Sequence, residues 1–335
     1  MHVVELVSPG NLRIGQRDVP TPLEDELLLR VEACGICGHD ILQYRGFLSA
    51  SHSAGVVLGH EIAGCVVARG DAVDSFETGE LVACVMGARC CGACDFCREG
   101  NETLCYSRLL YGEDLPGGLA EYVTVQATSA VKVPCGLSAE AASIAGCAVG
   151  TALHAFEVAC VKPGDLVAVT GASGGVGLHA LQVAAACGAT PIALTSNAKN
   201  AQVLSRFADT VVTGVTFDVE LRKHRLQPDV ILDLTAGITL ETSLRAVRRG
   251  GCVVVAGNVT SRPAEVLPGA MIYRELRLLG VKGAGRRHLE EALRLLAAGT
   301  IVAQTTTFSF QRAQEAFRFV EAGEIYGRAV LSPGV

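Results

Sequence analysis

Four cysteines in one short polar segment are the feature of this sequence that most directly indicates chemistry. Cys91, Cys94 and Cys97 follow one another at intervals of three residues, and Cys105 comes eight residues later. Four thiolates can close a tetrahedron around Zn²⁺, and such a site is structural because no coordination position is left for water or substrate. A set of free core cysteines is the alternative, but the segment is too polar for a core strand. We predict a structural zinc ion here, with Cys90 as a neighbour that breaks the spacing.

Three further fragments, far apart in the chain, carry residues that could ligate a second metal ion. ACGICGHD contains Cys37, GHE contains His60 and Glu61, and AGCAVGTALHA contains Cys147. None of them is specific by itself, because a lone cysteine is usually packing and a lone histidine is more often structural than a ligand. Cys34 and Cys37 could also form a redox C-x-x-C motif, but they lie in a β-rich half of the chain, and we reject that interpretation.

A glycine turn separates an apolar strand from a helix in LVAVTGASGGVGLHALQVA, which is the context that a dinucleotide fingerprint requires. Ala172 takes the first position of the G-x-G-x-x-G pattern, and Gly174 and Gly177 keep the other two. Gly174 lets the backbone approach a pyrophosphate, and Gly177 lets helix and strand pack closely. Gly171 and Gly175 add conformational freedom. We predict a dinucleotide site at this turn.

The choice of nicotinamide cofactor is expected to be decided about 20 residues further on, at the end of the next strand. PIALTSNAKN has no Asp or Glu at that point. Ser196 stands where an NAD-selective protein would carry the acid that binds the ribose hydroxyls, and Lys199 follows it. A 2′-phosphate could hydrogen-bond Ser196 and pair with Lys199. We therefore expect NADPH to be preferred over NADH, although a neutral strand end can also admit NAD.

The elements that must position these residues change character near residue 150. Before it, short β-type runs such as VVELV, LLLRVEA and AEYVTV are separated by turns. After about residue 165, apolar strands alternate with helical segments, which indicates a parallel sheet covered by helices on both faces. The last 50 residues hold two amphipathic segments and a final strand, GRAVLS. We predict an α/β protein of two domains, as a chain of 335 residues suggests.

Composition and charge narrow the class of partner. The net charge is −6 and the chain has no basic block, so we do not expect a nucleic-acid partner. We find no apolar run of about 18 residues and no signal-peptide pattern, so we expect a cytoplasmic protein without a membrane partner. Fourteen cysteines in a reducing compartment then favour metal ligation or core packing over disulfides. A small-molecule substrate is the expected partner.

Taken in order, these pieces resemble the zinc-containing alcohol dehydrogenases of the medium-chain dehydrogenase/reductase family over essentially the whole chain. The resemblance implies a GroES-like, β-rich catalytic domain formed by residues 1–150, to which residues 287–335 return. It implies a doubly wound Rossmann nucleotide-binding domain over residues 151–286, which we expect to bind NADP(H). It also implies a homodimer paired through the edge strand of the nucleotide sheet, for which ELRLLGV is a candidate, or a homotetramer built from such dimers.

The resemblance also assigns a catalytic zinc to Cys37, His60 and Cys147, so that we expect two zinc ions per chain. Three protein ligands leave a fourth position open for water, an alcohol oxygen or a carbonyl oxygen. Glu61 lies near the metal in the family, either as an exchangeable ligand or as a carboxylate outside the ligand set. Asp40 matches the family aspartate that accepts the other ring N–H of the ligand histidine; the alternative is a helix cap.

His39 departs from the family pattern, which has Ser or Thr two residues after the first cysteine. Its imidazole, with an unperturbed pKa of about 6.5, suits proton transfer at neutral pH, and Leu42 replaces the histidine of the usual outer relay. We predict that His39 exchanges the proton with the substrate oxygen; lining the pocket is the alternative. In the nucleotide domain, Thr151 and Val176 match positions that contact the nicotinamide, and Gly257 ends a strand that lines the cleft.

Three functions are compatible with these residues. The first is hydride transfer between NADP(H) and an alcohol, aldehyde or ketone. The second is NADPH-dependent reduction of an activated C=C bond, because GASGGVG and YGEDLPGGLAEYV resemble the branch that contains acryloyl-CoA reductases. The third is a nucleotide-binding protein without catalysis, against which the complete ligand set argues. The substrate remains open, because the segment expected to line the pocket, residues 43–55, is irregular.

Overall fold

The computed structural model describes residues 1–48, 55–258, 260 and 262–334. Six of the 13 residues of the irregular segment expected to line the pocket, residues 49–54, therefore lie outside the described residues. The chain divides into two compact units. The first unit comprises Met1–Gly150, Gly283–Gly299 and Ala303–Val335, and the second comprises Thr151–Lys282 and Thr300–Val302.

Strands and helices follow one another in the order that the residue pattern predicts. The strands in the described residues are β1 (His2–Ser8), β2 (Asn11–Gln16), β3 (Glu26–Gly35), β4 (Val56–Val57), β5 (Glu61–Arg69), β6 (Leu81–Cys84), β7 (Gly87–Arg89), β8 (Leu109–Leu110), β9 (Tyr122–Gln126), β10 (Ala130–Lys132), β11 (Leu166–Val169), β12 (Thr190–Thr195), β13 (Thr210–Thr213), β14 (Val230–Asp233), β15 (Cys252–Val255), β16 (Arg277–Gly280), β17 (Thr305–Ser309) and β18 (Arg328–Ser332). The helices are α1 (Gly38–Tyr44), α2 (Asp95–Arg98), α3 (Ala139–Ser143), α4 (Gly150–Ala159), α5 (Gly175–Ala186), α6 (Ala201–Leu204), α7 (Phe217–Lys223), α8 (Ala236–Ala246), α9 (Pro268–Arg274), α10 (Arg286–Ala297) and α11 (Ala313–Ala322).

The first unit is built on a seven-stranded sheet in the order β10-β6-β5-β3-β18-β17, with β9 also paired to β3. β3 and β5 pair antiparallel over almost their full lengths, so that Gly35 lies beside Glu61. β17 and β18 come from the end of the chain and pair with each other in parallel, and β18 then pairs antiparallel with β3. The fully buried Leu27, Leu29 and Ile62 belong to the core of this unit. Burial of each such side chain contributes about 1.5–3 kcal/mol to stability.

The second unit contains a six-stranded sheet in the order β13-β12-β11-β14-β15-β16. All five of its neighbouring pairs are parallel. The central strands β11 and β14 are apolar and almost completely buried, as expected for a parallel sheet covered on both faces. The order corresponds to 3-2-1-4-5-6, which defines the doubly wound nucleotide-binding sheet, and the direction of winding reverses between β11 and β14.

One helical run, Ala139–Ala159, corrects the expectation that no segment is long and apolar enough to cross a membrane. By length and composition it meets that requirement, but 78% of its most apolar window is buried inside the protein. Ile144 and Ala148, for example, pack against Ala33 and Val330 of the first unit. Core packing is therefore sufficient to explain the apolar character of this run.

Candidate active site

Three segments of the first unit bring four possible metal ligands together. Cys37 follows β3 and forms the N-cap of α1, His60 and Glu61 lie where β5 begins, and Cys147 lies in a π-helical turn, Ala145–Val149. Their ligand atoms all lie within 4.8 Å of one another, and all four residues are buried. The Sγ atoms of Cys37 and Cys147 are 3.7 Å apart. The structure therefore gathers the residues that the family resemblance assigns to a catalytic zinc.

The side chain of Asp40 links two of these segments by accepting hydrogen bonds from their backbone N–H groups. Its Oδ2 accepts from the N–H of Cys37 at 2.7 Å, and its Oδ1 accepts from the N–H of Gly59 at 3.1 Å. Gly59 has a φ of +95°, which favours glycine and sets the turn just before His60. The distance from Asp40 Oδ1 to His60 Nδ1 is 3.7 Å, too long for a hydrogen bond. Asp40 therefore caps helix α1, which is the alternative role. Its carboxylate lies near the His60 ring but does not hydrogen-bond it.

The donor set fits a zinc ion. Both ring nitrogens of His60 and both carboxylate oxygens of Glu61 are buried without a hydrogen-bond partner in the described part of the chain. Such groups are normally paired, so a bound cation is the simplest way to satisfy them. Burial lowers the pKa of His60, but the negative charges of Asp40 and Cys37 outweigh it and raise this pKa well above its usual value. The surroundings therefore favour positive charge, and two sulfurs with a nitrogen and an oxygen suit Zn²⁺.

The two thiols differ in how readily they ionise. A hydrogen bond from Cys147, together with the positive charges of Arg328 and His60, holds the pKa of Cys37 well below that of an ordinary thiol despite burial. The same hydrogen bond, with burial, raises the pKa of Cys147 well above the ordinary value. The buried pair therefore favours one thiolate that is hydrogen-bonded by the other thiol. The second thiol would lose its proton when a cation binds, because metal ligation requires the thiolate.

Arg328, the first residue of β18, is a charged residue of this site that sequence patterns did not predict. Its Nη2 lies 3.0 Å from Glu61 Oε1 as an ion pair without hydrogen-bond alignment, and both side chains are buried. Its Nη1 donates to the carbonyl of Ile36 at 3.1 Å. Burial raises the pKa of Glu61 to about 7, although the positive Arg328 opposes that rise. The sequence did hold one signal for this ion pair, because the predicted apolar strand GRAVLS carries an arginine at its start. An arginine that is buried with such a strand requires an acidic partner.

His39 lies beside the metal-ligand candidates. Its ring is edge-on to that of His60, with the centroids 5.7 Å apart. Its Nε2 is 3.0 Å from Glu113 Oε2 and 3.4 Å from Gln43 Nε2. The structure thus adds Glu113, which no sequence pattern singled out, as the carboxylate partner of His39. The segment YGEDLPGG that contains Glu113 carries no signal in the sequence beyond its resemblance to one branch of the family.

The four-cysteine cluster also assembles as the spacing predicts. The ligand atoms of Cys91, Cys94, Cys97 and Cys105 lie within 4.8 Å of one another. The backbone N–H of Cys94 donates to Cys91 Sγ at 3.3 Å, and hydrogen bonds from the backbone of Ala93 and Cys94 lower the pKa of Cys91 to about 6. The backbone thus prepares one thiolate of a closed four-sulfur site.

Cys90, which adjoins this cluster, stays outside it. Its Sγ lies 3.6 Å from the carbonyl oxygen of Glu102, and burial raises its pKa to about 11. The structure therefore agrees with the interpretation of Cys90 as a neighbour.

The glycine turn has the backbone that a dinucleotide site requires. Gly174 is the N-cap of α5, and α5 begins with Gly175. A side chain at Gly177 would overlap the carbonyl of Gly171 and the Cα atom of Ala172, so the close packing of α5 against the turn depends on glycine there. The N–H groups in the first turn of a 12-residue helix have no intrahelical acceptors and favour an anion. The residues present therefore fit a pyrophosphate.

The end of β12 is neutral, as the sequence shows. Ser196 directly follows this strand and is exposed, and Lys199 is exposed in the next turn. Asn200, which the sequence pattern did not single out, is buried and donates from Nδ2 to Ser173 Oγ at 2.7 Å. This contact ties the segment expected to select the cofactor to the glycine turn.

Three more residues predicted to bind the cofactor lie at element ends. Thr151 is buried in the first turn of α4, Val176 is half-buried in the first turn of α5, and Gly257 lies two residues after β15. The carbonyl of Gly257 accepts a hydrogen bond from the N–H of Ala236 at 3.2 Å. Their contacts with a cofactor stay predictions.

Both halves of the chain match models of known protein families. Residues 23–135 match the family model of the alcohol dehydrogenase GroES-like domain, and residues 175–298 match that of the zinc-binding dehydrogenases. An acryloyl-coenzyme A reductase of Metallosphaera sedula is 37% identical over 84% of this chain and 84% of its own length. An alcohol dehydrogenase of Geobacillus stearothermophilus is 31% identical over 96% of this chain and 95% of its own.

Solved structures agree with these matches. The acetophenone reductase of Geotrichum candidum in complex with NAD is 30% identical, covers 99% of this chain and 97% of its own, and superposes with a TM-score of 0.90. The cobalt- and zinc-bound thermostable alcohol dehydrogenase of Pyrobaculum aerophilum is 28% identical, with 99% of each chain covered and a TM-score of 0.89. The predicted GroES-like and Rossmann folds are confirmed. The chain belongs to the zinc-containing alcohol dehydrogenases of the medium-chain dehydrogenase/reductase family.

Proposed function

We propose that this protein is a zinc-dependent NADP(H) oxidoreductase that interconverts an alcohol with an aldehyde or ketone. The observation that carries the proposal is the buried set of Cys37, His60 and Cys147, whose ligand atoms converge from three distant segments. Three protein ligands are typical of catalytic zinc sites, which keep a position for substrate, whereas a four-thiolate site is closed. We propose that Glu61, the fourth donor of the cluster, is an exchangeable ligand that gives up this position to substrate. We propose a second, structural zinc at the four-cysteine cluster, so that each chain holds two.

When bound, zinc would polarise a substrate oxygen while the nicotinamide accepts or donates the hydride. The side chains around the site supply the metal ligands and fix their positions. Cys37 and Cys147 supply sulfurs that offset the charge of the ion. Asp40 fixes the backbone of two ligand segments, and Arg328 pairs with the Glu61 carboxylate so that it is not an uncompensated buried charge.

We propose that His39 exchanges a proton with the substrate hydroxyl or carbonyl oxygen. Its imidazole lies edge-on to the ligand candidate His60, and its Nε2 contacts Glu113. The side chains of His39 and Glu113 are 26% and 22% exposed, so this pair connects the buried site with solvent. A positioned imidazole contributes roughly 10²- to 10⁴-fold to such a reaction.

A second candidate function is the reduction of an activated C=C bond in an enoyl thioester. The 37% identity to an acryloyl-coenzyme A reductase supports it, because this identity exceeds the 31% shared with the alcohol dehydrogenase. In that reaction the hydride goes to the β-carbon and a proton goes to the α-carbon, so the thioester carbonyl stays intact.

One product analysis distinguishes these functions. The zinc-loaded protein would be supplied with NADPH or NADH and an aldehyde, a ketone, an enal or acryloyl-CoA, and the reduced bond identified by NMR. An alcohol formed with any C=C bond retained supports the first proposal, and a saturated thioester supports the second. If the protein binds a dinucleotide but turns over none of these substrates, the result would favour a binding protein without catalysis.

We further propose that NADPH is preferred over NADH. The strand end after β12 offers a hydroxyl at Ser196 and a positive charge at Lys199, with no carboxylate to repel a 2′-phosphate. NAD is bound in the acetophenone reductase structure. Dissociation constants for both reduced cofactors therefore test the preference directly.

We propose a homodimer, or a homotetramer of such dimers, that acts on a small molecule in the cytoplasm without a nucleic-acid or membrane partner. β16 is an edge strand of the six-stranded sheet. Three apolar side chains of the preceding helix α9 and its N-cap are more than two-thirds exposed: Leu267, Ile272 and Tyr273. Exposed apolar residues beside an open edge favour pairing with a second copy. Sedimentation of wild type against Ile272→Lys tests this surface, with dissociation as the expected result.

A further inference from the structure

A buried carboxylate lies where the winding of the six-stranded sheet reverses. Asp233 is the last residue of β14 and is 0% exposed. Thr170 directly follows β11, which is the neighbouring central strand. In doubly wound sheets, ligands bind outside the carboxyl ends of the strands at this reversal. Both residues are therefore located where a dinucleotide site is expected.

The Asp233 carboxylate is held by neutral donors. Its Oδ1 accepts from the Thr170 hydroxyl at 2.9 Å, the Thr239 hydroxyl at 2.6 Å and the N–H of Thr235 at 3.1 Å. Its Oδ2 accepts from the Ser243 hydroxyl at 2.7 Å. Thr239 and Ser243 belong to α8, whereas Thr170 belongs to the end of β11. The carboxylate therefore joins one helix to the end of a neighbouring strand.

The Thr170 hydroxyl connects this network with the glycine turn. Besides donating to Asp233, it accepts from the N–H of Leu234 at 2.9 Å and from the Thr235 hydroxyl at 3.1 Å, so its hydrogen-bonding capacity is full. The next residue, Gly171, has a φ of +58° and opens the turn that leads into α5. Loss of the hydroxyl would leave the N–H of Leu234 without this acceptor and would remove one of the three donors to Asp233 Oδ1, directly beside that turn.

We propose that Thr170 and Asp233 are positioning residues for the dinucleotide: they hold the start of the glycine turn against the end of β14. This inference rests on the proposed function, because it requires the turn to bind a dinucleotide. Thr239 of α8 also bonds the Thr235 hydroxyl, which in turn donates to Thr170. Ser243, by contrast, donates to the other oxygen of the carboxylate. Removing the Thr170 hydroxyl in one variant and the Ser243 hydroxyl in another therefore distinguishes an effect on dinucleotide positioning from an effect on general stability.

The test uses three full-length variants. Thr170→Val removes the hydroxyl at nearly constant volume, Thr170→Ser retains it, and Ser243→Ala removes a donor to Asp233 from the α8 side. The dissociation constants of NADPH and NADH would be measured through the fluorescence of the reduced nicotinamide, which is convenient because the chain has no tryptophan. Melting temperature and zinc content would be recorded for each variant.

We expect Thr170→Val to weaken dinucleotide binding by about tenfold or more, and Thr170→Ser to bind within about threefold of wild type. Ser243→Ala should lower the melting temperature without weakening binding. Unchanged binding in Thr170→Val, or an equal loss of affinity in Ser243→Ala, would overturn the inference alone. If Thr170→Val does not fold, Thr170→Ala is judged by the same criteria. A folded wild type that binds neither dinucleotide would overturn the proposed function and this inference with it.

Discussion

The Sγ atoms of Cys37 and Cys147 lie 3.7 Å apart although 110 residues separate them in the sequence. One thiol is supplied by the segment that follows β3, and the other by a π-helical turn. Two sulfurs bound to the same tetrahedral zinc are separated by about 3.8 Å, given Zn–S bonds of about 2.3 Å. A disulfide would need about 2.05 Å. The separation of these thiols therefore suits a shared metal ion.

Loss of one cysteine from the four-cysteine cluster should remove the structural ion. We expect Cys97→Ser to hold one zinc per chain and to melt at least about 5 °C below wild type, because the loop loses the cation that closes it. Cys90→Ser is the matched control, since this neighbouring thiol lies outside the cluster. Metal analysis and thermal unfolding check both variants. Two ions retained by Cys97→Ser would contradict the assignment.

Removal of the His39 imidazole should slow the chemical step without releasing metal. We expect His39→Gln to reduce kcat by roughly 10²-fold or more and to change the pH dependence of kcat, at unchanged zinc content. Glu113→Gln should act in the same direction more weakly. His2→Gln is the control, because His2 forms a similar pair with Glu121 at 3.1 Å among residues that the proposed site does not use. An unchanged pH profile in His39→Gln would favour the pocket-lining alternative.

A carboxylate at the end of β12 should reverse the cofactor preference. Ser196→Asp places a negative charge where the 2′-phosphate is expected, so we predict weaker NADPH binding and a switch to NADH. Ser196→Ala, which adds no charge, should leave NADPH preferred. The ratio of kcat/KM values for the two cofactors measures the effect. Equal use of NADH and NADPH by the wild type would refute the preference.

The buried Glu5 should make stability depend on pH. Burial raises the pKa of Glu5, but hydrogen bonds and charges from Arg13 and Arg17 outweigh it and lower this pKa below the usual value. A folded-state pKa that is lowered adds stability above the unfolded pKa of about 4.3, and this stability is lost as pH falls through the folded value. Glu5→Gln should therefore cost about 1–2 kcal/mol at pH 7 and progressively less in acid.

Urea unfolding at pH 7 and at about pH 3 measures this difference. Asp74→Asn is the control, because Asp74 is 98% exposed and its ion pair with Arg69 spans 3.6 Å. It should change the free energy of unfolding little at either pH. A penalty for Glu5→Gln that is as large at pH 3 as at pH 7 would show that its charge is not the cause.

The fold followed from local patterns in the sequence. Apolar runs such as β14 are buried on both faces, and the amphipathic α10 buries Leu289, Leu293 and Leu296 at helical spacing. The three-residue spacing of Cys91, Cys94 and Cys97 was equally informative, because these thiols lie in one short segment that includes α2 and its N-cap. In these cases the constraint lies within one element or one turn.

The contacts that the sequence did not reveal join distant segments. Arg328 meets Glu61 because the last strand pairs with β3, and Glu113 meets His39 across 74 residues. The hydrogen bond that the N–H of Gly59 donates to Asp40 depends on a turn geometry that no pattern encodes. Such pairings are set by tertiary packing, so periodicity and spacing cannot predict them.

The central claim is that Cys37, His60 and Cys147 hold a catalytic zinc that is distinct from the structural ion. Zinc analysis of purified Cys147→Ala against wild type, with turnover measured on the same samples, tests it most directly. The account predicts two ions per wild-type chain, and one ion with no detectable turnover in a folded Cys147→Ala. Two ions and retained turnover in that variant would contradict it.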